Sequence, residues 1–77
     1  MLHDVNNMRV EQAVAVLMRD LNGLPYSEAL LAAAEATGRL IVEVCDTPVQ
    51  MMEMVQVVND HIGRTINVGV QAKGFHV

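Results

Sequence analysis

The chain has 77 residues, 52% apolar and 18% charged, and nine acidic side chains against five basic ones give a formal net charge of −4. Disorder is excluded, since it goes with low hydrophobicity and high charge, and bases scattered at positions 9, 19, 39, 64 and 73 offer no cationic patch to nucleic acid or an anionic membrane surface. A chain this short buries only about 60% of its unfolded surface, so the apolar excess predicts one small domain, residues 1–77, with part of its surface covered by another chain.

The first periodic stretch runs from Met8 to Leu21. Val10, Ala13, Val14, Leu17, Met18 and Leu21 share one face at 100° per residue, and Arg9, Glu11, Gln12, Arg19 and Asp20 take the other. This predicts a helix over about 8–22, capped by Asn7. Asn22-Gly23-Leu24-Pro25 ends it, with Gly23 free to adopt positive φ.

The second element begins at Ser27, an N-cap residue flanked by Tyr26 and Leu31 at hydrophobic-staple positions. Its local and wider patterns conflict. Locally, Thr37-Gly38 could stop a helix and the β-branched run to Val44 could form a strand. Over a wider window, Glu28, Glu35, Arg39, Glu43 and Asp46 continue one helical polar stripe. Leu30, Ala33, Ala34, Thr37, Leu40, Ile41, Val44 and Cys45 lie opposite it. A strand has no reason to continue a helical stripe, and Gly38 inside a helix costs only about 1 kcal/mol. One helix over 28–46 is therefore expected.

Thr47-Pro48-Val49-Gln50 is a capping box with proline at the first helical position. Met51, Met54, Val55, Val58 and Ile62 follow on a narrow face, and Gly63 suits a helix end, so the third helix is expected at 48–62. Beyond it Ile66, Val68 and Val70 alternate with Thr65, Asn67, Gly69 and Gln71, the period-2 pattern of a half-buried strand. A lone strand needs a partner for its backbone groups, which in this arrangement is the same segment of a second subunit. The last residues form a loose end tied down by Phe75. The expected fold is thus mainly α: three helices near 8–22, 28–46 and 48–62, then an extended C-terminal strand. The alternative is α+β in the order ααβαβ, with 40–45 pairing to the tail.

Chemical motifs are absent. His3, His61 and His76 show none of the paired spacings of a zinc site. His61 reads instead as a side chain near a helix end. Cys45 stands between Glu43 and Asp46, with no base beside it to activate a thiol, and reads as an inert core residue. The five glycines match no phosphate-binding loop. A helix-turn-helix over 9–37 would present Glu28 and Glu35 to DNA, which repels them. No cofactor, metal or catalytic group is expected. The single cysteine suits a reducing cytoplasm. No apolar run is long enough to span a membrane, and Met1-Leu2-His3-Asp4 lacks a signal-peptide start.

These features favour a small non-enzymatic, oligomeric interaction module: a regulator, adaptor or inhibitor that binds a cytosolic protein. Val16, Met52 and Val57 fall outside the main stripes and, with Phe75, are the candidate partner contacts. The alternative is an oligomer that holds a small anion at a subunit interface through Arg39 or Arg64. An enzyme with a shared active site is the least supported class.

Overall fold

The computed structural model describes residues 5–74. Three helices follow in order, α1 Asn7–Leu21, α2 Tyr26–Val44 and α3 Pro48–Ala72, and the described residues contain no strand. The mainly α expectation holds.

The N-cap of α1 is Asn6 rather than Asn7: the Asn6 side chain accepts from the Arg9 backbone N–H at 3.1 Å. Two adjacent asparagines both have capping chemistry, and the earlier one adds a residue to the helix. Asn22 closes α1 in a right-handed conformation, with its N–H donating to the Met18 carbonyl. Gly23 does not adopt positive φ; Gly74, at φ 85°, is the described glycine that does.

The continuous reading of α2 also holds, since the helix runs through Thr37 and Gly38 to Val44. The strand over 40–45 in the α+β alternative is overturned. Ser27 is not the cap. The Ala29 N–H donates to the Pro25 carbonyl at 2.9 Å, so the helix opens earlier than a cap at Ser27 would allow. Tyr26 is 90% exposed, so its ring does not form a staple.

α3 opens at the expected Thr47 cap, with the reciprocal Gln50 bond falling one residue before the position a capping box prescribes. Thr47 Oγ1 accepts from the Gln50 N–H at 3.2 Å, and Gln50 Oε1 accepts from the Asp46 N–H at 2.8 Å, with Pro48 in the first turn. The helix then passes Gly63 and reaches Ala72. The C-terminal strand expected over 65–71 is therefore a correction: that segment is the last part of α3. Ile62, Ile66 and Val70 are spaced at i, i+4 and i+8, so the same residues that alternate also share a helical face. Extending a helix adds an internal backbone bond per residue, whereas a solitary strand supplies none. The two glycines cost about 1 kcal/mol each and do not reverse that balance. Lys73 caps the end, and Gly74 turns the chain with its N–H on the Gln71 carbonyl at 3.0 Å. His61 accordingly lies mid-helix, where its carbonyl accepts from the Thr65 hydroxyl at 3.0 Å.

The chain divides into two compact units, Met1–Ala36 and Thr37–Val77, with the boundary inside α2. In the first, Leu21 and Ala29 are half-buried and the other described residues are exposed. In the second, Ile41 (9% exposed) and Cys45 (7%) are buried one helical turn apart. Met51, Met54, Val57 and Val58 are half-buried on one arc of α3. Past Val58, Val70 is the described residue that is not fully exposed.

Candidate functional site

The face of α1 that periodicity marks as a core face lies open. Val10, Val14, Leu17 and Met18 are all exposed, Leu17 by 54%. α2 exposes Leu30, Leu31, Leu40, Val42 and Val44, and α3 exposes Val49, Met52, Ile62, Ile66 and Val68.

Two concave places interrupt these faces. One, of about 390 Å³, lies in the first unit against Met18, Leu21, Leu24, Tyr26, Ala29 and Leu30. The other, of about 310 Å³, is a shallow hollow along the start of α3, formed by Pro48, Val49, Met52, Glu53 and Gln56. Both are largely apolar, and neither brings together an acid, a base and a nucleophile.

Of the residues expected to contact a partner, Met52 lines the second hollow and is 64% exposed. Val16 is exposed on α1, roughly 130° around from the centre of the Val10–Leu21 stripe. Val57 is half-buried, because it borders the arc of α3 that carries Met54 and Val58. Phe75 lies outside the described residues. Val16 thus belongs to the first unit, and Met52 and Val57 to the second. Arg39 on α2 and Arg64 on α3 are both exposed, and neither lines either hollow.

Cys45 is a free, buried thiol, as its helical position implied. Among the described residues no group of three His, Cys, Asp or Glu side chains could hold a metal ion. No described helix is long and apolar enough to cross a membrane. Comparison with protein-family models, with curated proteins and with solved structures finds no match.

Periodicity alone places several of these exposed side chains in a core. A stripe reveals that a helix has an apolar side. It does not reveal whether that side meets the same chain or another. The sequence signals that bear on the second case are the 52% apolar fraction and the off-stripe residues Val16, Met52 and Val57.

Proposed function

We propose that the protein is a small, non-enzymatic interaction module of the cytoplasm that works as an oligomer and acts on a protein partner, as a regulator, adaptor or inhibitor. One observation carries this reading: every helix leaves large aliphatic side chains exposed. Apolar faces of this extent mark places where other polypeptide packs. Helical adaptors that bind through such faces need no titratable cluster or enclosed cavity, only rows of aliphatic anchors at helical spacing.

Sedimentation velocity at micromolar concentration tests the reading. The expected species is a dimer or larger. A folded 8.4 kDa monomer that also fails to bind a dye selective for exposed apolar surface would overturn it.

A further inference from the structure

We infer that α3 is the self-association element, and that two copies of it pair side by side and in parallel, with Asn59 of one chain hydrogen-bonded to Asn59 of the other. This rests on the oligomeric reading above and specifies which face carries it.

The buried side of α3, Met51, Met54, Val57 and Val58, is not the face in question. Beside it runs a second row: Met52, Val55, Asn59, Ile62, Ile66 and Gly69. The spacings alternate between three and four residues, a heptad pattern with Met52, Asn59 and Ile66 at a and Val55, Ile62 and Gly69 at d. All six are exposed, Ile62 by 49% and Ile66 by 57%. Within the second unit, the part of α2 present is Thr37 to Val44, against the 25 residues of α3. Burial on α3 accordingly concentrates before residue 59 and leaves the Ile62–Ile66 turns open.

Two features identify the occupant as a second copy. First, the only polar side chain in the row is Asn59, at an a position. Covering it with an aliphatic surface would leave an amide buried without partners, at a cost of about 1–3 kcal/mol. A copy aligned in parallel brings an identical amide opposite it, and each can donate N–H to the other's carbonyl oxygen. An isolated asparagine at a is how paired helices fix register and strand number. An antiparallel copy would set Asn59 against Ile62 instead. Second, the flanking e and g positions are Gln56, Val58, Gly63, Thr65, Val70 and Ala72. None is charged, so nothing there repels an identical chain or selects a foreign one. Gly63 and Gly69 also present no side chain to hold the helices apart.

The test uses the full chain in sedimentation and in oxidative cross-linking. The cross-linking variant is Ile66→Cys in a Cys45→Ala background. Parallel pairing places the two introduced sulfurs within disulfide reach, so mild oxidation is expected to give a covalent dimer. Antiparallel pairing would hold these positions about 16 Å apart and give none. Asn59→Val is expected to tighten association about tenfold and to admit species larger than the dimer, because the register-fixing amide is gone. Ile66→Asp is expected to weaken association at least about tenfold, and Val16→Asp on α1 to leave it unchanged. Should the wild-type chain associate while the introduced thiols fail to cross-link and Asn59→Val behaves as wild type, this pairing is wrong and the oligomeric reading survives. Should the wild-type chain remain a monomer, alone or joined only to a foreign protein, the pairing falls as well.

Discussion

Thr47 and Gln50 show how much a few residues can specify. The Thr47 hydroxyl satisfies one backbone donor of the first turn of α3, and the Gln50 side chain satisfies the N–H of Asp46. The Thr47 role follows from the four-residue motif and is legible without coordinates; the motif aims Gln50 at the N–H of Thr47, and the side chain instead reaches one residue further, to Asp46. Thr47→Ala removes the cap, and the expected loss is about 1 kcal/mol in denaturant unfolding, with Thr47→Ser close to neutral. Gly38 makes the opposite case. It is an interior residue of α2, and a Cβ built on it meets nothing within 4 Å. Gly38→Ala is expected to stabilise the protein by about 0.5–1 kcal/mol, because alanine gives up less backbone entropy on folding. A loss of stability instead would mean that another chain approaches this position. His61 and Cys45 belong to no described constellation, so His61→Ala and chelator treatment are both expected to leave the sedimentation profile unchanged. Dissociation in chelator, reversed by zinc, would expose a metal site built between chains.

Element boundaries divide into those with a chemical cause and those without. α2 passes its glycine because the polar stripe from Glu28 to Glu43 keeps helical phase, and phase over several turns outweighs one weak former. The same principle applied to α3 carries that helix past Gly63. Its face continues from Ile62 to Ile66 and Val70, but seven alternating residues resemble a strand on their own. A short window cannot separate the two periods when valine and isoleucine occupy every second position and glycine or asparagine the others. The end of α3 has its cause in Gly74, whose positive φ a β-carbon would oppose. Backbone chemical shifts decide the matter directly. Ile66, Val68 and Val70 are expected to show helical carbon shifts in the associated protein, and extended values there would restore the strand. The candidate surface is legible to a lesser degree. Met52 stands out because it lies off its helix's main stripe. Leu17, Ile62 and Ile66 do not, because a stripe facing solvent and a stripe facing a core are the same pattern.

For the molecule as a whole, a chain whose buried described residues are Ile41 and Cys45 has little to hold its helices in place. Isolated helices of 15 to 25 residues are marginal in water and draw most of their stability from tertiary packing. The described residues supply no disulfide and no metal cluster to compensate. On the proposed pairing, most of the apolar burial that opposes chain entropy comes from contacts between copies, and folding is then coupled to association. Such a protein has no stability independent of its concentration. Each tenfold rise in total chain is expected to raise the thermal midpoint by about 3–6 °C, as the association free energy of a small dimer requires. Far-UV circular dichroism should lose its helical signal on dilution, in step with the loss of the dimer in sedimentation. Ile66→Asp is expected to lower helicity and the midpoint together, whereas a surface change such as Glu53→Gln should alter neither. A midpoint constant over three decades of concentration, with full helicity in the most dilute sample, would show that the single chain folds alone and that its open faces serve another partner.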